Sequence, residues 1–292
     1  MTVQQSNPRK GAALGFVGGF VISFDIPMIR LAGADGWSSL AIRATCLALI
    51  FIPLAIWAHR RARREGRSII NRDWLEIGAL YGLSNILFTF AVFSTSTANL
   101  VFILALNTLL AALFAWVMIG ERPSTATWAA IAATIVGVLL IVGDGFGHGT
   151  TFGDLCALGA ALTIAFLLVR TRKNGGDMSL APGFGGIVAL VFALPVALMF
   201  SPMPQAPEWL LGNGLLIVPI AAWCLALAPR YVPAPQVAMF YLIETVLAPV
   251  WVWYVFGETV STMTLIGGTI VLAAITAHSF WSMRTERSIE AA

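Results

Sequence analysis

The chain repeats itself. Residues 120–127 read GERPSTAT and residues 257–264 read GETVSTMT, 137 residues later, with Gly-Glu, Ser-Thr and the final Thr in register. Upstream the register continues without a gap: Thr108 answers Thr245, Ala111 answers Ala248 and Trp116 answers Trp253. A repeat on this scale makes the chain two copies of one unit, so the fold is to be read as halves. The number of times the chain crosses between equivalent points then decides how the halves are related.

What lies between is apolar. Ten stretches approach the roughly 20 residues that span a bilayer core; they run over 11–33, 37–58, 74–94, 97–119, 125–143, 154–171, 180–200, 209–228, 236–256 and 262–283. Pro195 and Pro219 soften the seventh and eighth. Only 11% of the residues are charged, against about 25% in a soluble domain, too few to cover a globular surface. The first stretch is longer than the apolar core of a signal peptide and has no small-residue cleavage site. Cys46, Cys156 and Cys224 fall inside spans, odd in number and unrelated in spacing; they read as small apolar fillers rather than disulfide partners or metal ligands. No metal or other cofactor is expected.

Orientation follows from the basic residues. With ten spans both termini share a side, and fifteen of the seventeen Lys and Arg fall on that side: Arg9, Lys10, the cluster between Arg60 and Arg72, Arg122, Arg170, Arg172, Lys173, Arg230, Arg284 and Arg287. The exceptions are Arg30, at an outer helix end, and Arg43, inside the second span. The positive-inside rule makes both termini cytoplasmic. The net charge of +3 is therefore topological and does not point to nucleic acid. The first Gly-Glu closes span four and the second closes span nine. Five spans apart, equivalent points face opposite sides, and the halves are inverted repeats about an axis in the membrane plane. The expected fold is an all-α membrane protein of ten transmembrane helices in two inverted five-helix repeats, residues 11–143 and 154–283.

Met28-Ile29-Arg30 ends the first span and Leu168-Val169-Arg170 ends the sixth, as Gly-Glu ends the fourth and ninth. In this pattern the chain, over about residues 11–283, resembles the drug/metabolite transporter superfamily of the EamA type. The resemblance implies transport of a small molecule and leaves the substrate open. In length and layout the chain is most similar to the outward amino-acid exporters, including those for aromatic amino acids.

Few ionisable side chains lie inside the spans, and each costs roughly 2.5–3.5 kcal/mol there on insertion scales. Asp25 and Arg43 lie at nearly the same depth, about 21 and 22 Å from the cytoplasmic ends of neighbouring antiparallel spans. Either they form an ion pair that locks the first two helices, or they serve as a gate, a coupling site or a contact for a zwitterion. Glu244 lies about 12 Å into span nine, where no Lys or Arg shares its depth, and is a candidate for binding an ammonium or carrying a proton. Its mate at the repeat offset is Asn107. On the same face of span nine lie Tyr241, Ala248 and Trp251; Trp223 is a further candidate wall. On span three, Tyr81, Asn85 and Thr89 form a polar stripe with Phe88 beside it. The expected substrate site is thus Tyr81, Asn85, Thr89, Asn107, Tyr241, Glu244 and Trp251, aromatic with a few polar handles, as suits a small amphipathic ligand.

Glu121 and Glu258 are expected to cap the helices that follow them, and Trp37, Trp74, Trp128 and Trp209 to mark membrane interfaces. Gly137, Gly267 and Gly268 read as close-packing positions, and Pro27, Pro249 and the glycines near 15–19 as points of bending. Spans five and ten carry no polar stripe and are left for scaffolding or an oligomer contact, so the chain is expected to be a monomer or weak homodimer. Neither GxSxG nor HExxH occurs, His59 and His148 lie in loops, and His278 stands alone, which leaves an intramembrane enzyme a remote alternative. The functional expectation is a secondary transporter of the bacterial inner membrane that exports amino acids or similar small metabolites by alternating access. Export of cationic drugs or other toxic metabolites is the alternative.

Overall fold

The computed structural model describes residues 7–66, 68–95, 97–142, 150–256 and 262–290. Arg67, His148 and the second corner at 257–261, with Glu258, lie outside the described residues, as do the side chains of Pro249, Arg284 and Arg287. Everything regular among the described residues is helical. In chain order the helices are α1 (Pro8–Ile22), α2 (Asp25–Leu31), α3 (Gly36–Arg64), α4 (Arg72–Ser94), α5 (Thr97–Ile119) and α6 (Thr125–Val142), then α7 (Thr151–Asn174), α8 (Pro182–Phe200), α9 (Pro207–Gly212), α10 (Val218–Leu227), α11 (Ala234–Phe256) and α12 (Thr262–Glu290). Seven helical units are long and apolar enough to cross a bilayer: α1 with α2, α3, α4, α7, α8, the unit from Pro207 to Arg230, and α11. The remaining three, α5, α6 and α12, carry shorter apolar stretches among the described residues.

The packing obeys a two-fold pattern. Helices that are mates by sequence offset pair with each other: α3 with α8, α5 with α11, and α6 with α12. Contacts between non-mates come in exchanged couples. The seam of α4 on α7 is answered by α10 on α1, and that of α5 on α7 by α11 on α1. Each half thus completes its core only with the other.

Two breaks interrupt the helices, and proline causes both. Pro27 has no N–H to offer the carbonyl of Ser23, four residues back, and its ring crowds that carbonyl. α1 therefore ends in a tight turn, with the amides of Ser23 and Phe24 bonded three residues back to Phe20 and Val21, and α2 starts at Asp25. Pro219 likewise leaves the carbonyl of Leu215 without its donor, and residues Asn213–Ile217 wind as a π-turn between α9 and α10. Pro195, by contrast, sits within an unbroken α8. The glycines near 15–19 are not bending points. A Cβ on Gly15 would lie 1.9 Å from the Phe240 ring, and one on Gly19 would lie 2.3 Å from the Phe240 carbonyl oxygen. They let α1 lie directly against α11.

The corner motif has a plain mechanical role. Gly120 takes φ 70° and ends α5 as a left-handed cap, a conformation that suits glycine. Ser124, not Glu121, starts α6: its Oγ accepts the Thr127 amide at 3.1 Å. Glu121 instead accepts from Arg172 Nε at 3.0 Å, and Arg172 also donates to the Pro229 carbonyl, so the corner of one half is tied to the other. The α4–α7 seam is pinned at both ends, by Arg170 on Glu76 at 2.6 and 2.8 Å and by Thr95 on Asp154 at 2.5 Å. At the α2–α3 turn, Asp35 caps α3 through the Ser38 amide and accepts Ser201 Oγ at 2.6 Å. Burial pushes its carboxyl up, but the hydrogen bonds from Ser201 and Ser38 outweigh that and hold it below the ordinary value.

Trp74 is buried, its ring 5.9 Å from that of Phe184, so it is a core residue rather than an interface marker; Trp128 and Trp209 are exposed. Gly137 has the close-packing role expected of it. A Cβ there would lie 2.7 Å from the Gly267 carbonyl oxygen, which forces α6 and α12 apart. Gly137→Val should cost about 1–3 kcal/mol, read as a lower midpoint in thermal unfolding of the detergent-solubilised protein. An unchanged midpoint would mean that the α6–α12 seam is loose.

Candidate functional site

Seven of the sequence-derived polar residues meet around one space. A cavity of about 1100 Å³ is lined by Asp25, Arg43, Tyr81, Asn85, Asn107, Tyr241 and Glu244, with Phe88, Leu104, Ile164 and Leu225 among its apolar walls. The helices that supply them are α2, α3, α4, α5 and α11, with α7 and α10 closing the sides. Asn107 and Glu244, mates by the repeat offset, both reach it because α5 and α11 pack on one another.

Its charged wall, Asp25 and Arg43, belongs to a three-residue cluster completed behind it by Asn213. Arg43 Nη2 lies 2.8 Å from Asp25 Oδ2, with both side chains at most 3% exposed. Asn213 Nδ2 donates to the other carboxylate oxygen, Oδ1, at 2.7 Å. Asp25 is placed by the Pro27 break and Asn213 by the Pro219 π-turn, so the two prolines build this cluster from opposite halves. Its needs are not met equally. Each Asp25 oxygen has a partner, whereas Arg43 Nε and Nη1 are buried with no hydrogen-bond partner. Such groups cost free energy unless something else answers them.

The lining holds further unanswered groups. Glu244 Oε1, Asn107 Oδ1 and the Tyr81 hydroxyl are buried without partners. The site thus presents both spare guanidinium donors and spare acceptors, with the rings of Tyr81, Phe88 and Tyr241 at its wall. Although Arg43 and Glu244 differ in depth along their own spans, the cavity holds both.

Two expected members fall elsewhere. Trp251 does not line the cavity: its Nε1 donates to Ser23 Oγ at 2.8 Å and its ring stacks on Phe24 at 4.6 Å. It lies seven residues past Glu244, about 10 Å further along the helix, level with the break between α1 and α2. There it holds the turn that aims Asp25. Thr89 is 1% exposed and also off the wall. Steps of four residues drift by about 40° each on a helix with 3.6 residues per turn, so Thr89 has rotated away while Ser84 and Phe88 take its place. Trp223 is 42% exposed and faces outward from α10. Sequence reasoning missed Ser84, Thr245 and, most of all, Asn213. The one signal for Asn213 was an Asn between two glycines near the start of a span that also holds a proline.

Comparison with known proteins agrees with this architecture. The model of the EamA-like transporter family matches the chain twice, over residues 9–143 and 151–280. An uncharacterized transporter from Archaeoglobus fulgidus is 28% identical over 164 residues. That match covers 54% of this chain and 58% of the relative, so it spans little more than half of the relative's length. A solved crystal structure, described only as that of a protein, superposes with a TM-score of 0.76 over 95% of this chain and 99% of its own. At 18% identity that likeness speaks for the fold alone.

Proposed function

The chain belongs to the EamA-like transporter family, and from that premise we propose that it exports small amphipathic metabolites, amino acids first among them, across the bacterial inner membrane. The observation that carries this reading is the pairing of unmet groups in one aromatic-walled cavity. Arg43 Nε and Nη1 lack acceptors, while Glu244 Oε1 and Asn107 Oδ1 lack donors. A carboxylate suits the first set and an ammonium the second, each by charge-assisted hydrogen bonds. Tyr81, Phe88 and Tyr241 would take the apolar side chain. The two halves, each needing the other to close its core, would rock about the cavity in alternating access with the ten spans inverted five against five.

The test is a panel of radiolabelled amino acids in proteoliposomes of the full chain, with and without a proton gradient. Saturable counterflow of one or more amino acids is the expected result. Counterflow of organic cations alone would favour drug export, with Glu244 as the sole anchor. Flux that never saturates would remove the carrier mechanism.

A further inference from the structure

A second pocket, of about 750 Å³, opens where the first corner meets the starts and ends of helices from the other half. Its walls include Glu121 and Arg122 from the α5–α6 corner, Gln236 from α11, and His278 and Trp281 from α12. The basic residues place this end of the bundle in the cytoplasm.

Gln236 is the informative residue. It is 2% exposed, lines the pocket, and neither its Oε1 nor its Nε2 has a hydrogen-bond partner. A buried carboxamide with both ends unmet in an α-helical core would be selected against unless the pocket is regularly filled. Its neighbours extend the pattern. Arg172 engages only one oxygen of Glu121, and Oε2 is left buried and unpartnered. Arg122 is exposed at the rim. His278 Nε2 meets Thr127 Oγ1 at 3.1 Å, which fixes the ring and leaves Nδ1 unpartnered beside the pocket. Pro123 of the first corner, Pro233 and Pro235 at the start of α11, and the half-exposed indole of Trp281 supply an apolar wall.

A simple cation fits this lining poorly, because Arg122 and Arg172 flank the carboxylate. A simple anion meets the spare oxygen of Glu121. Water could bridge the polar atoms but makes no use of the apolar wall. A group carrying both charges and an apolar tail uses all of it: the ammonium on Glu121 Oε2 and Gln236 Oε1, the carboxylate on Gln236 Nε2 and Arg122. We propose that this pocket is a second recognition site, for small zwitterions with an apolar side chain, where cargo is held at the cytoplasmic end before it reaches the central cavity. The proposal rests on the transport reading above and names a station that this reading does not require.

The test uses the purified full chain and tritiated L-phenylalanine or, where the counterflow panel selects another amino acid, that one. Equilibrium binding should resolve two events on the wild type, one on Gln236→Met, one on Glu244→Gln and none on the double variant. In inside-out vesicles Gln236→Met should raise KM about ten-fold, the loss expected for a buried hydrogen bond to a charged group, with the maximal rate unchanged. Trp281→Ala, which trims an exposed ring, should weaken the same event and serves if Gln236→Met does not reach the membrane. A single event on the wild type, or variants that bind and transport as it does, would overturn the second site and leave the transporter standing. Absence of counterflow for every amino acid would instead remove the amino-acid reading and this proposal with it.

Discussion

Glu244→Gln should abolish transport while the protein still reaches the membrane and stays monodisperse. Gln keeps the volume and the hydrogen-bonding fork of the side chain, so the packing of α11 against α5 and α1 has no reason to change. What goes is the ionisable carboxyl, and with it the ability to hold an ammonium or to exchange a proton. Glu244 Oε1 has no hydrogen-bond partner in the protein, so no structural bond is lost with it. Truncating one member of a buried charged contact costs about 2–5 kcal/mol, and each 1.4 kcal/mol is roughly ten-fold. Uptake of the amino acid chosen by the panel into inside-out vesicles should therefore fall by more than about thirty-fold. Wild-type uptake in this variant would take Glu244 out of the site.

The second large effect belongs to Arg43. Arg43→Met removes the guanidinium from Asp25 and leaves a carboxylate with Asn213 as its remaining side-chain partner. Breaking a buried pair in this one-sided way costs about 3–5 kcal/mol, enough to lower expression and the thermal midpoint sharply. Neutralising both partners, as Asp25→Leu with Arg43→Met, should restore most of the stability because no uncompensated charge remains. The transport assay on that double variant then separates two roles. Transport that returns with folding makes the pair only a lock between α2 and α3. A stable but inactive double variant makes Arg43 a substrate contact, as its two spare N–H groups suggest. Single variants as stable as the wild type would mean that the pair contributes little to either.

Much of this arrangement was legible beforehand because it rests on local rules. The repeat offset tied Asn107 to Glu244, and depth arithmetic along two neighbouring helices brought Asp25 to Arg43; both follow from a rise of 1.5 Å per residue. The failures share a cause too. Helical spacing puts Trp251 on the face of Glu244, yet a face says nothing about where a cavity ends. The cavity is walled at the α1–α2 break by Ile22, Asp25 and Ile26, and Trp251 packs on Ser23 and Phe24 within the break instead. The four-residue spacing that groups Thr89 with Tyr81 and Asn85 drifts in angle and carries Thr89 off the wall. Glu121 looked like a cap from its place beside a helix start, but Arg172, 51 residues on and from the other half, offered a stronger partner.

The amino-acid sequence by itself determined the class of the molecule and its duplication, because hydropathy, charge placement and repeat register are properties of the chain taken in order. It also marked where the helices can yield, since a proline has no N–H to give wherever it stands, although Pro195 leaves α8 unbroken. Only the tertiary structure decided what those breaks are for. The Pro27 turn and the Pro219 π-turn come from opposite halves, and their meeting places Asn213 on Asp25 across 188 residues. No pattern along the chain records such a meeting. It depends on which side chains face each other once each half closes its core on the other, and burial then turns the groups left without partners into the features that specify a ligand.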